Sequence, residues 1–143
     1  MADLTRAELI AKLEALTGPD RGIDDALMAL FFVRDERHIG TTEGWEDDPS
    51  SFLPVKNRVW VDPVTDKWVS TAAHNFTSSI DAAVALVDRM LPGWQINIHC
   101  YGVSSEASLG SRSGGFPLVT GWSPSIAICI ALLRALDAKE KEG

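Results

Sequence analysis

The chain has 143 residues, of which 45% are hydrophobic, and a formal net charge of −7 at pH 7. This length and apolar content predict one folded domain over residues 1–143 and exclude disorder along most of the chain. The acidic balance argues against bulk nucleic-acid binding, because neutralising phosphates requires a basic surface.

The first segment and the two cysteines indicate the cellular compartment in which the protein is expected. The first segment is amphipathic and charged, unlike a signal peptide, and no apolar run approaches the roughly 20 residues that span a bilayer. Cys100 and Cys129 both stand inside apolar runs, which predicts two small buried side chains. No ligand spacing surrounds them, so we expect a soluble cytoplasmic protein with no disulfide, no metal, no cofactor and no membrane partner.

The first third of the chain opens with two predicted helices. Thr5 stands three residues before Glu8, the spacing of a capping box, and Asp20 opens a second helix after a Gly-Pro stop. Two short helices joined by a tight turn predict a helical hairpin. The acidic pair Asp24 and Asp25 is interpreted as belonging to a helix N-terminus, and the acidic run at 46–48 as solvated surface.

Residues 34–57 have no sustained hydrophobic period and are predicted to form a long irregular connection. Residues 57–72 then predict a β-hairpin with its turn at "DPVTD". With the turn centred on Val64, Trp60 and Trp68 stand opposite each other, as a packing pair or as an aromatic platform for a ligand. The stretch 34–75 is interpreted as a loop and hairpin insertion.

The second half carries the clearest elements. A helix capped by Ser78 or Ser79 ends at "LPGW", and a strand follows in "WQINIHCYGV". Its alternation places polar side chains on one face: Gln95, Asn97, His99 and Tyr101. This stripe is either a solvated sheet face or the lining of a cleft or subunit interface. It suits a neutral polar ligand better than an ionic one.

The segment "SLGSRSGGFP" holds three glycines and Arg112. It predicts either a mobile turn between strands or an anion site built from glycine amides, the Arg112 guanidinium and the next helix N-terminus. Its spacing fits neither the dinucleotide nor the Walker fingerprint. A final helix is predicted with Ser123 as its N-cap and Pro124 at its first position.

Adjacent strands without a helix between them argue for a mostly antiparallel sheet. The expected fold is therefore α+β: a three-layer α/β/α sandwich around a small sheet, with an N-terminal helical hairpin. A two-layer sandwich is the alternative.

Three phrases in this order resemble a known family: "TRAELIAKLEALTGPDRGIDDAL", "FTSSIDAAVALVDRMLPGW" and "SPSIAICIALLRALDA". They are similar to the phage α/β/α-sandwich domain family, which comprises small bacteriophage and prophage proteins. The resemblance implies this fold and the cytoplasm of a bacterial host. It implies no activity and no catalytic residues, and residues 34–75 depart from the short connection usual in the family.

Three functional hypotheses follow. The first is a non-enzymatic phage accessory protein that binds a host protein or a small polar ligand and self-associates through open sheet edges. The second is an anti-defence protein that sequesters a nucleotide-derived signal, with Arg112, the polar stripe and Trp60 or Trp68 forming the pocket. The third is a small hydrolase or transferase centred on His99, with Glu106 and the hydroxyls of Ser104 and Ser105 near enough in sequence for a Ser–His–Glu arrangement. Nothing in the sequence resembles a nucleophile elbow, so we expect no catalytic residues.

Overall fold

A computed structural model describes residues 5–102, 104–111, 114, 115 and 118–142. The chain forms two compact units. The first joins the chain up to Leu27 to the part from His74 onward, and the second is Met28–Ala73. The second unit covers nearly the same stretch as the predicted insertion.

The described residues form four α-helices, one short 3-10 helix at Pro49–Ser51 and seven strands. The helices are α1 (Arg6–Ala15), α2 (Arg21–Phe31), α3 (Ile80–Met90) and α4 (Pro124–Glu142). The strands are β1 (Val33–Thr41), β2 (Pro54–Val61), β3 (Trp68–Ser70), β4 (Gln95–Cys100), β5 (Ser105–Ser111), β6 (Gly114–Gly115) and β7 (Val119–Gly121).

Short polar side chains begin all four helices, as predicted. The Thr5 hydroxyl accepts a hydrogen bond from the Glu8 amide at 3.1 Å, and the Asp20 carboxylate accepts one from the Ile23 amide at 3.1 Å. Ser79 and Ser123 cap α3 and α4 in the same manner. These bonds satisfy amides that the first helical turn leaves unpaired.

In the first unit, β4 pairs with β5, and β5 pairs with both β6 and β7, all antiparallel. Helix α4 lies chiefly over β5 and β7, and it also contacts α1 and α3. Its apolar residues from Ile126 to Leu133 are buried on every side, which explains why its sequence is not amphipathic. The α+β class, the antiparallel pairing and the N-terminal helix pair are confirmed.

The second unit holds a sheet of its own, in the order β1-β2-β3. The prediction of an irregular connection over 34–57 is wrong in part, because β1 occupies Val33–Thr41 and β2 begins at Pro54. Strand β1 is exposed along most of its length and carries charges on both faces. Such a strand has no hydrophobic alternation that a sequence pattern can reveal.

The predicted hairpin is confirmed as β2 and β3, and its turn is held by the Asp62 carboxylate, which accepts a hydrogen bond from the Val64 amide at 2.8 Å. The predicted pairing of the two tryptophans is wrong. A register shift places Trp60 opposite Ser70 and Trp68 opposite Val61. Trp60 is buried under the guanidinium of Arg34, 5.0 Å from its ring centre, whereas Trp68 is exposed.

The two cysteines differ in their surroundings, and both are free thiols. Cys129 is buried in α4 as predicted, and burial, followed by the charge of Asp24, raises its pKa to about 12. The prediction for Cys100 is wrong: it is exposed at the end of β4. Within the described ranges, no helix has the length and apolarity needed to cross a membrane.

Candidate functional site

The predicted polar stripe lies on one face of the sheet in the first unit. Gln95, Asn97 and His99 are exposed along β4, and the intervening Ile96 and Ile98 are half-buried. The alternation therefore points the polar side chains away from α4 and the isoleucines toward the α4 side of the sheet.

Strand pairing adds neighbours to this stripe. His99 stands opposite Glu106 of β5, which in turn stands opposite Thr120 of β7. Asn97 stands opposite Ser108. Paired residues of antiparallel strands point to the same side of a sheet. We call this surface the polar face; its members are Gln95, Asn97, His99, Tyr101, Glu106, Ser108 and Thr120.

Two aromatic rings stack on each other at one end of the polar face. The rings of His99 and Tyr101 are nearly parallel, with an interplanar angle of 24° and centroids 6.5 Å apart. Tyr101 is 58% exposed, and its amide donates to the Ser104 carbonyl at 2.8 Å in the turn that follows β4. Gly102 adopts a φ of +71° in that turn, a conformation that favours glycine. The turn thus fixes the backbone that carries the Tyr101 ring.

The electrostatics of the polar face are simple. With neutral histidine, Glu106 is its one formally charged member, and the amides and hydroxyls supply both donors and acceptors. A carboxylate at the centre of the face repels phosphate and attracts hydroxyl or amide donors. The arrangement therefore favours neutral, hydrogen-bonding ligands over nucleotides.

Three further residues that were predicted to contact a ligand do not belong to the polar face. Trp60 and Trp68 belong to the second unit, and Arg112 lies outside the described residues. In the described part of the glycine-rich segment, Ser111 pairs with Gly114 and Gly110 with Gly115. These pairs are antiparallel, and the proposed anion site stays a prediction.

A catalytic triad with Ser105 is not formed. Ser105 is buried and stands opposite Cys100, so it points to the α4 side, away from His99 and Glu106. Among the described residues, no group of three or more histidine, cysteine or acidic side chains could hold a metal ion. The His99–Glu106 pair is thus the one predicted catalytic arrangement that the strand register brings together.

Sequence reasoning missed two features of the first unit. Thr120 joins the polar face only through the pairing of β7 with β5, which no local pattern encodes. A groove of about 520 Å³ also lies between α1, α4 and β7, bridged by Arg134 and Glu14, whose side chains meet at 2.6 Å. These residues are 120 positions apart, and only tertiary packing places them together.

Comparison with known proteins gives no match to a family model, to a curated protein or to a solved structure. The resemblance to the phage family therefore stays an expectation that depends on the motifs quoted above.

Proposed function

We propose that this chain is a non-enzymatic binding protein and that its polar face recognises a neutral, hydroxyl-rich ligand of the carbohydrate class. The bacteriophage accessory role implied by the three family-like phrases is part of the same proposal. The observation that carries it is the row His99–Glu106–Thr120 beside Asn97–Ser108 on the sheet face opposite α4. Asn97, His99 and Thr120 are exposed there, and Glu106 and Ser108 are half-buried.

The chemistry of these groups supports that ligand class. Amide and carboxylate groups are planar and can exchange paired hydrogen bonds with neighbouring hydroxyls. The exposed ring of Tyr101, stacked on His99, offers an apolar aromatic face for the C–H face of a sugar. Strands hold the side chains at fixed spacing, so little conformational entropy is lost on binding.

The test is a calorimetric titration of the purified chain with neutral oligosaccharides, which measures the binding affinity. We expect Asn97→Ala to weaken binding about fivefold, because one net hydrogen bond contributes about 1 kcal/mol. Asn57→Ala is the matched control, since Asn57 is an exposed asparagine on β2 in the other unit. It should bind like the wild type.

Two results would contradict the proposal. One is a response to ADP-ribose or a cyclic dinucleotide alone, which favours the anti-defence hypothesis. The other is retention of a single host protein with no response to any small molecule.

A small hydrolase or transferase is the second candidate, because His99 and Glu106 are register partners on an exposed face. A carboxylate beside an imidazole can orient it as a general base. His38 is an exposed histidine on β1 in the other unit and serves as the control. A catalytic activity that is lost in His99→Ala and retained in His38→Ala would favour this candidate.

A further inference from the structure

Strand β4 lies at an edge of its sheet. Among the described strands it pairs with β5 alone, so one side of its backbone has no strand partner. An edge strand of this kind can pair with another chain.

The turn after β4 identifies which backbone groups point outward. The Tyr101 amide donates to the Ser104 carbonyl, which makes these two residues a hydrogen-bonded pair. Such pairs alternate along an antiparallel ladder, so Gln95, Asn97 and His99 direct their amides and carbonyls toward β5. The residues between them direct theirs to the open edge: Ile96, Ile98 and Cys100.

The same three outward-facing residues carry apolar side chains that α4 does not cover completely. Helix α4 lies chiefly over β5 and β7, and Ile96 and Ile98 are only half-buried, while Cys100 is exposed. An apolar strip therefore runs along the open edge, on the α4 side of the sheet.

The edge also lacks the charges that protect such strands. In the other unit, edge strand β1 carries Arg34, Asp35, Glu36 and Arg37 in succession, which opposes pairing with another strand. The sequence of β4, QINIHC, has no lysine, arginine, carboxylate or proline. Two copies of β4 can meet without like-charge repulsion, although the whole chain carries −7.

We infer that two copies of the chain pair through β4, antiparallel, with Ile98 on the two-fold axis. Outward-facing residues must meet outward-facing residues, which places the axis on a single residue of β4, and Ile98 gives the longest overlap of outward-facing residues. With Ile98 on the axis, the two copies of β4 form three hydrogen-bonded residue pairs. Ile98 pairs with the partner's Ile98, and the symmetry generates two pairs of Ile96 with Cys100, one on each side of the axis. With Asn97 on the axis, only two such pairs form.

Side-chain chemistry matches this register. On the α4 side, Ile98 meets the partner's Ile98, and Ile96 meets the partner's Cys100, which covers both apolar strips. On the opposite side, Asn97 stands beside the partner's His99, so the two polar faces join into one continuous surface. The occupant is therefore a second copy, whose strand has the same uncharged edge and the same alternation.

Sedimentation tests the assembly. We expect the wild type at about 100 μM to sediment as a dimer of the 15.5-kDa chain, and Ile98→Lys to sediment as a monomer because two ammonium groups would meet on the axis. Val64→Lys is the control, since Val64 is 86% exposed in the β2–β3 turn; it should remain dimeric. A monomeric wild type, or a dimeric Ile98→Lys, would overturn the inference.

Disulfide cross-linking tests the register of the two β4 strands. It also tests the pairing independently if the Ile98→Lys variant fails to fold. In a Cys100→Ala background, Ile98→Cys should form an intermolecular disulfide on oxidation, because paired Cα atoms about 5.5 Å apart suit the bond. Ile96→Cys in that background has no thiol opposite and should not. The reverse result, or no cross-link in either variant, contradicts the assigned register. Ligand titrations are measured separately, so a failure of the dimer and a failure of the polar-face proposal remain distinguishable.

Discussion

Asp24 is a buried carboxylate that ties the start of α2 to the segment before α3. It is 1% exposed, and its Oδ1 accepts a hydrogen bond from the Thr77 amide at 2.8 Å. Arg21 contacts the other carboxylate oxygen at 3.0 Å, and the Thr77 hydroxyl accepts from the Asp20 amide at 2.9 Å. Asp24 lies in the first turn of α2, as its assignment to a helix N-terminus predicts. Its burial could not be predicted, because a pair of aspartates near a helix start does not reveal which one faces the protein.

We expect Asp24→Ala to lower the free energy of unfolding by about 2 kcal/mol, because it leaves the buried Thr77 amide without its acceptor. The adjacent Asp25 is exposed, so Asp25→Ala should cost less than about 0.5 kcal/mol. Urea denaturation followed by circular dichroism measures both. Equal losses in the two variants would mean that the Thr77 bond contributes nothing specific.

At the scale of the elements, the close approach of β7 to α4 depends on one glycine. A Cβ at Gly121 would lie 2.7 Å from the Ala127 nitrogen and 2.9 Å from its Cα. These are backbone atoms of the first turns of α4, so they cannot move aside without shifting the helix. Glycine at position 121 therefore lets the last strand lie against the central helix.

We expect Gly121→Ala to destabilise the protein by about 2 kcal/mol, within the range of overpacked cores. Gly40→Ala is the comparison, because nothing lies within 4 Å of the Cβ it would add in β1. Thermal melts of both variants give the difference. A Gly121→Ala protein as stable as the Gly40→Ala protein would show that β7 and α4 can separate at little cost.

The sequence predicts those structural features well whose signals lie within a few neighbouring residues. The caps at Thr5, Ser79 and Ser123 act within one helical turn, and β4 alternates because one of its faces packs on the protein. Strand β1 could not be predicted, since both of its faces are exposed and charged. The Trp60–Trp68 pair failed because a register shift between strands is not a property of either strand.

The same reasoning holds for the polar face. The alternation of β4 predicts Gln95, Asn97 and His99 together, and seven-residue spacing across a turn brings Glu106 near His99. The place of Thr120 depends on the pairing of β7 with β5, which is decided by the packing of α4. Members of a site from one strand are therefore predictable, and members from separate strands depend on tertiary structure.

For the whole molecule, each compact unit contains an arginine that holds a carboxylate in its charged form. In the first unit, a hydrogen bond from Arg6 lowers the pKa of Glu140, and Arg6 also contacts Asp137 at 2.8 Å. In the second unit, a hydrogen bond from Arg37 lowers the pKa of Asp35, helped by the Glu36 amide. All these contacts are at least partly exposed, and dissolved salt screens exposed contacts.

Because these carboxyl groups have lower pKa values folded than unfolded, their stabilisation is full above the unfolded pKa and is lost as the pH falls through the folded pKa. We therefore expect the melting temperature to fall as the pH drops from neutral to about 3. The double variant Arg6→Gln/Arg37→Gln should show a shallower fall, since its carboxylates lose the cations that lower their pKa. Concentrated salt should reduce the difference between the two proteins, because it screens the same contacts. Parallel melting curves at every pH would mean that the two arginines make no contribution to acid sensitivity, and that the unfolding in acid arises from carboxylates elsewhere in the chain.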